Sequence, residues 1–530
     1  MTTHEPASPR SALARRFGFW AGIAVFVLVL LLEPVLGGEP AIVRMAAIAA
    51  LMATWWITDA IPLAATSLVP LVLYPLLGIM SGKDLAPVYV NYIIFLFLGG
   101  FLIALAMERW NLHRRIALTI VRAIGSRPER LVLGFMVATA FLSMWISNTA
   151  TAIMMLAIGL AVIRAEEENF GEQRVANLSV ALLLGIAYSA SVGGIATLVG
   201  TPPNLTLVRI FELSFPEAAE SGFSLSFGQW MLLGVPLSLI LLAIVWFLLT
   251  RVFFRSADDL ALSRDTIDRE YTRLGPMRFE EGVVLAVFST TALLWVFRKK
   301  LTLGEFSIPG WSSLLPTGVN IDDGTVAIAM ALVLFLVPAR NRDVSGGGKN
   351  DYGTILDFGV FAKVPWHIIL LFGGGFALAK GFQVSGLSAW VGGAFEGLQG
   401  TPAWIMVATI CAILTFLTEL TSNTATTEMV LPLLASIATA AKLHPLLLMI
   451  PAALSASCAF MMPVATPPNA IIFGSGRVRI AQMVRVGIVI NLIGITVITA
   501  VFLLLGPLVF GIEWSELPEW ATEASAEEIE

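Results

Sequence analysis

The sequence predicts an all-α polytopic membrane protein, and three observations carry that prediction. Of the 530 residues, 57% are hydrophobic and 13% charged, whereas soluble proteins carry about 25% charge. Apolar stretches of bilayer-spanning length recur along the whole chain. The arginines between them gather into a few loops that fall, with one exception, on a single side.

The spans fall near 17–36, 41–58, 62–80, 88–107, 229–250, 282–297, 325–338, 366–382 and 487–508. Arg10, Arg15 and Arg16 precede the first, which has near full spanning length and no clean small-residue cleavage site. It reads as a retained helix rather than a signal peptide. The positive-inside rule places Arg10–Arg16, Arg109–Arg130, Arg251–Arg278, Arg340, Arg342 and Arg477–Arg485 in the cytoplasm. Arg298-Lys299-Lys300 violates it, and the acidic tail from Glu513 falls outside. The expected location is the cell inner (plasma) membrane, with a cytoplasmic N-terminus and an external C-terminus.

Two regions are too long for single spans. Leu131–Ile163 carries no charge between Arg130 and Arg164, and as one helix it would reach about 50 Å across a hydrocarbon core of about 30 Å. A re-entrant hairpin solves the length problem and leaves both arginines on one side. Its tip would be Ser147-Asn148-Thr149. Residues 402–440 repeat the shape around Ser422-Asn423-Thr424. Gly99-Gly100-Phe101 and Gly374-Gly375-Phe376 repeat at that same offset, and T-P-P-N stands at 201–204 and again at 466–469. Three blocks in one order indicate internal duplication. An odd number of crossings between equivalent helices makes the halves inverted, an organisation typical of secondary transporters with a midplane site.

The repeated motifs suit ion and anion binding. Pro202 and Pro203 lack N–H groups, which should free the carbonyls of Leu198 and Val199; Pro467 and Pro468 should free those of Pro463 and Val464. Non-helical backbone survives at membrane depth where it lines a cavity, and free carbonyls are hard donors suited to Na⁺. Thr201 and Thr466 are placed to cap the helices that follow. At each hairpin tip, Ser or Asn caps the second arm and leaves N–H groups facing an anion. Ser143 and Thr418 add hydroxyls one turn before Ser147 and Ser422. No Lys, Arg or His lies among these residues, so a dianion must be offset by helix N-termini and bound cations. That favours cation-coupled uptake.

One S-N-T in a membrane helix is more often helix–helix glue, and one Pro-Pro a kink; repetition at both hairpin centres favours a site. Glu419 and Glu428 flank the second motif, where the first has Met144 and Ile153. Each reads equally as a structural carboxyl and as a coupling proton site. Cys411 and Cys458 sit in apolar runs, the four histidines are scattered, and a net charge of −5 argues against a nucleic-acid partner.

With its paired S-N-T and T-P-P-N motifs, the chain resembles the divalent anion/Na⁺ symporter family, the sodium-coupled dicarboxylate, citrate and sulfate transporters. The resemblance spans about residues 40–510. It implies a homodimer of eleven-span protomers with two re-entrant hairpins, moving as an elevator, with Na⁺ co-transported. Substrate would be held by Ser147, Asn148, Thr149, Thr201, Ser422, Asn423, Thr424, Thr466 and Pro467. One sodium site would use Ser143, Ser147, Asn148 and Gly200, and the other Thr418, Thr421, Asn423 and Ala465. Segments near 111–126 and 384–398 would be interfacial arm helices. The implied parts are a cytoplasmic N-terminus (1–16), scaffold (17–126), transport part (127–254), cytoplasmic loop (255–280), second scaffold (281–400), second transport part (401–510) and acidic tail (511–530).

The rivals are a sodium-independent dicarboxylate exchanger and a sulfate transporter on the same fold, a passive channel, and a membrane-embedded enzyme. The enzyme would need a nucleophile–base pair or metal ligands at depth, which the histidines and cysteines do not supply. Small hydroxyls at Thr149 and Thr424 lean towards a C4-dicarboxylate such as succinate.

Overall fold

A computed structural model describes residues 9–33, 39–125, 127–256, 265–303, 306–340, 353–513 and 516–522. The extreme N-terminus, part of the 255–280 loop, Arg342 and most of the acidic tail lie outside the described residues.

The described chain is almost wholly helical: α1 (Pro9–Leu31), α2 (Pro40–Thr58), α3 (Leu63–Thr66), α4 (Val69–Leu77), α5 (Gly82–Tyr89), α6 (Tyr92–Arg109), α7 (Leu112–Ile124), α8 (Pro128–Ser143), α9 (Asn148–Phe170), α10 (Glu172–Gly194), α11 (Pro202–Ser214), α12 (Pro216–Glu220) and α13 (Phe227–Phe247). A short helix α14 (Asp265–Arg273) leads to α15 (Phe279–Val296), α16 (Asp323–Leu336), α17 (Trp366–Val384), α18 (Leu387–Gly393), α19 (Ala403–Thr418), α20 (Asn423–Ala440), α21 (Leu446–Ala456), α22 (Pro467–Gly474) and α23 (Ile480–Phe510). A small antiparallel ribbon pairs β1 (Leu301–Leu303) with β2 (Phe306–Ile308).

Among the described residues, eight helical stretches are long and apolar enough to cross a membrane, with shorter apolar helices between them. The expected span at 62–80 is broken instead into α3 and α4. Pro70 has no N–H for the Thr66 carbonyl at the second helix's start, and the neighbouring Ser67 carbonyl accepts the Tyr89 hydroxyl at 2.6 Å.

Charge pairing organises one end of the molecule. Arg115 binds Glu281 (2.7 Å), Arg122 binds Asp268 (2.8 Å), Arg251 binds Glu129 (3.5 Å) and Arg114 binds Glu270. These pairs of opposite charge bring the 109–130 and 251–281 segments together. Arg477 reaches Glu167 with an Nη2–Oε2 contact of 2.9 Å, tying the far end of α9 to the segment after α22. The anomalous Arg298 is buried. It binds Asp323 (Nη2–Oδ2 3.0 Å) and the Ile321 carbonyl (2.9 Å), so its charge is compensated within the protein.

The helices of the two chain halves interlock. α11 packs on α20 and α21, while α22 packs on α9 and α10. Tyr188 of α10 meets Phe460 edge-on at 5.3 Å between ring centres. Each half-helix that follows a T-P-P break thus rests against helices from the other half.

Candidate functional site

Each S-N-T lies where one helix ends and another starts. α8 and α9 join through residues 144–147, and α19 and α20 through 419–422. Ser147 occupies the N-cap of α9 and accepts the Ala150 N–H at 3.2 Å. Ser422 occupies the corresponding N-cap of α20 without a side-chain bond. Ser147, Asn148 and Thr149 are half-buried, as are Ser422 and Asn423, while Thr424 is buried. Partial exposure leaves Ser147, Asn148, Thr149, Ser422 and Asn423 open to a ligand at the N-termini of α9 and α20.

Ser143 and Thr418, the last residues of the first arms, make matching contacts. The Ser143 hydroxyl lies 2.5 Å from the Asn148 amide oxygen and 2.6 Å from the Ala190 carbonyl. The Thr418 hydroxyl lies 2.6 Å from the Asn423 amide oxygen and 2.9 Å from the Ala456 carbonyl. A hydroxyl has one hydrogen for two acceptors, so each set crowds three oxygens together. Asn148 also lies against the backbone of Gly194: a Cβ there would come 2.8 Å from its amide oxygen. Gly200 in turn abuts the Gly194 carbonyl.

The breaks differ from expectation in where they begin. α10 stops at Gly194, well before Pro202, and α21 stops at Ala456, well before Pro467. The freed carbonyls therefore include residues upstream of Leu198, Val199, Pro463 and Val464. The asparagine of each T-P-P-N gathers them. Asn204 donates to the carbonyls of Thr197 (2.7 Å) and Gly194 (3.2 Å). Asn469 donates to those of Ala459 and Met462, both at 3.1 Å. The prolines serve mainly as the first residues of α11 and α22. Thr466 caps α22 by accepting the Asn469 N–H at 3.3 Å, whereas Thr201 holds the N-cap position of α11 with no such bond. Gly200 and Ala465 are buried in the breaks, and Pro467 is exposed. Thr421 turns elsewhere, to the Leu417 carbonyl (2.9 Å) and the Thr426 hydroxyl (2.5 Å).

Each tip is tied to its own break by a different group. In the first half, Thr197 donates to the Met144 carbonyl (2.5 Å) and accepts the Gly200 N–H (3.1 Å). In the second, the Glu419 carboxylate accepts N–H groups of Phe460 (2.7 Å), Met461 (2.9 Å) and Met462 (2.9 Å), and the Asn491 amide (2.8 Å). Glu419 is thereby a structural clasp. Sequence reasoning missed Ser189-Ala190-Ser191 and Ser455-Ala456-Ser457, a fourth repeated block. Their central carbonyls complete the oxygen sets, and the buried hydroxyls of Ser189, Ser191 and Ser457 have no partner among the described residues. The recurring tripeptide was the signal.

A cavity of about 250 Å³ borders the first break through Leu198 and Leu205 and extends to Tyr92, Glu212, Lys299 and Asp323. Burial, then the charge of Arg298, pushes the Lys299 ammonium below its ordinary pKa.

Residues 14–512 match the family described as the sodium:sulfate symporter transmembrane region. The chain belongs to this family. It is accordingly a multi-pass membrane transporter, not an enzyme. Among similar proteins, the sodium-dependent dicarboxylate transporter SdcS of Staphylococcus saprophyticus is 43% identical over 94% of this chain and 92% of its own length. That of Staphylococcus aureus strain USA300 is 44% identical over 89% and 87%. Two solved structures share the fold at low identity. Neisseria gonorrhoeae MtrF (TM-score 0.57, 11% identity) aligns over 92% of this chain and 94% of its own. The Alcanivorax borkumensis YdaH transporter (TM-score 0.58, 13% identity) aligns over 95% and 100%.

Proposed function

We propose that the protein is a sodium-coupled symporter of C4-dicarboxylates such as succinate, with two Na⁺ sites built on the Ser143–Asn148 and Thr418–Asn423 pairs. The duplicated oxygen sets are the observation that carries this reading. In each, a hydroxyl, an amide oxygen and a backbone carbonyl crowd together, and a cation drawing on all three relieves that crowding with hard donors. The names of the relatives at 43–44% identity supply the dicarboxylate and the sodium.

One sodium site takes Ser143, Ser147, Asn148 and Gly200; the other takes Thr418, Asn423 and Ala465, with Thr421 joining after its hydroxyl rotates. Substrate lies between the tips, on Ser147, Asn148, Thr149, Thr201, Ser422, Asn423, Thr424, Thr466 and Pro467. Its carboxylates face N-termini of α9, α11, α20 and α22, where aligned peptide dipoles and unpaired N–H groups favour negative charge. Bound Na⁺ supplies the rest of the positive charge.

The two halves are inverted repeats, a proposal supported by the matching Ser143–Asn148–Ala190 and Thr418–Asn423–Ala456 contacts and by Asn204 and Asn469 each bonding two carbonyls of its own break. Eleven spans, two re-entrant hairpins and an elevator motion of the transport parts (127–254 and 401–510) against the scaffold complete the scheme. α7 and α18 serve as arms, and the molecule is a homodimer in the plasma membrane with its N-terminus in the cytoplasm. The test is uptake of labelled succinate, citrate and sulfate by purified protein in liposomes, with Na⁺ or choline outside. Succinate uptake driven by the Na⁺ gradient is expected. Preference for sulfate would move the substrate assignment, and equal uptake in choline would remove the coupling.

A further inference from the structure

Glu428 is the buried carboxyl that the proposed transport site leaves without a task. It lies on α20, beyond the Asn423 tip, and is 0% exposed. Neither carboxyl oxygen has a hydrogen-bond partner among the described residues. Glu419, nine positions earlier on the same hairpin, shows the contrast, for its carboxylate accepts four N–H donors.

The surroundings of Glu428 are shaped to hold its side chain. α20 packs on α17, and the Glu428 stem lies directly on Gly375: a Cβ there would sit 2.4 Å from its Cγ and 2.5 Å from its Cδ. The neighbouring glycines of α17 are equally engaged, Gly374 by Ser67 and Gly373 by Tyr89. Tyr89 on α5 is the titratable group within electrostatic reach, and its hydroxyl hydrogen is already given to the Ser67 carbonyl at 2.6 Å. Other titratable groups on the helices packed against α20 are engaged or uncharged. Lys380 on α17 bonds Gln383, Arg209 and Glu212 on α11 pair together, Arg44 on α2 pairs with Glu33, α19 brings Cys411, and the clasped Glu419 follows it. His367 starts α17, and α18 and α21 bring no titratable group.

A carboxylate in this position has, among the described residues, no donor and no cation to offset the loss of water, so the neutral acid is the form that fits. A protonated carboxyl also carries its own donor, which a carboxylate lacks. We propose that Glu428 is a proton-binding site, separate from the S-N-T tips, in which a bound proton lets α20 close onto the glycine face of α17. Loss of that proton puts a bare charge between the two helices and separates them. The infrared arm below needs no transport; the uptake arm rests on the transporter reading.

The experiment is infrared spectroscopy of the purified protein at pH 7.5, where a water-exposed glutamate is ionised. Wild type should show a carboxylic C=O band above the amide I region, and Glu428→Gln should lose it. Glu428→Leu is the second variant, should the amide fold poorly. In liposomes between pH 6.5 and pH 9, wild-type uptake should decline at the alkaline end while Glu428→Gln stays level. A carboxylic band equal in wild type and both variants, or no such band in wild type, overturns the proposal. An unchanged band difference with no uptake at all would leave the proton site standing and count against the transport reading alone.

Discussion

The Thr418 hydroxyl lies 2.6 Å from the Asn423 amide oxygen across the turn of the second hairpin. Ser143 and Asn148 repeat the contact at 2.5 Å in the first. Residues far apart in the chain thus hold the same geometry, each completed by the carbonyl of an Ala between two serines.

Asn148→Ala or Asn423→Ala should abolish transport while leaving the fold intact. Each amide is proposed to touch both substrate and sodium. Losing a charge-assisted contact at one site costs about 2 kcal/mol, and two sites fail together. Uptake should drop at least on the order of 100-fold, with size-exclusion profiles unchanged. Normal uptake by either variant would sink the assignment.

Thr418→Ala should raise the Na⁺ concentration for half-maximal uptake by about tenfold and leave apparent succinate affinity at saturating Na⁺ nearly unchanged. The proposed Thr418 hydroxyl touches the cation alone. An unaltered sodium curve would refute that role.

Glu419→Gln tests the clasp. Its carboxylate accepts three successive N–H groups, and an amide presents a donor to some of them. The clasp is buried at 3% exposure, so the variant should lose about 2–3 kcal/mol of stability. The loss should appear as a lower melting temperature in detergent, with or without Na⁺. An unchanged melting temperature would contradict a structural Glu419.

His444 gives a pH signature outside the spans. It sits between α20 and α21 at 5% exposure, edge-on to Trp520 at 5.3 Å, and burial pushes its pKa down to about 4. The unfolded chain binds a proton as pH falls through about 6.5, while the folded one resists until near pH 4. Its contribution is therefore fully present above pH 6.5 and fades as pH falls towards 4, by up to about 3 kcal/mol. Melting temperatures at pH 7.5 and pH 5 should differ less for His444→Asn than for wild type.

Much of this was legible because bilayer physics leaves few options. Charge-free runs set the helices, and Leu131–Ile163 was too long for one span; the structure divides it at residues 144–147. The polar repeats led to Asn148 and Asn423. The positions of the breaks were not legible from the prolines. Helix α10 ends at Gly194, whose carbonyl is satisfied by the Asn204 side chain ten positions on, and such a partner is invisible to a local rule. The different tasks of Glu419 and Glu428 were likewise hidden, since hydrogen-bond partners come from other helices. The charge at Arg298 broke the loop-charge rule because its partner Asp323 lies beyond the next turn.

Whether Na⁺ builds the anion site is decided by calorimetric titration of succinate into purified protein over a series of Na⁺ concentrations. A dianion entering first meets a pocket with no basic side chain among its proposed ligands and little water to replace. Sodium bound first supplies the positive charge, and by linkage succinate must tighten Na⁺ binding by the same factor. The succinate Kd should fall steeply as Na⁺ rises, with the dependence flattened in Ser143→Ala and Thr418→Ala. A succinate Kd that is the same with and without Na⁺ would contradict it.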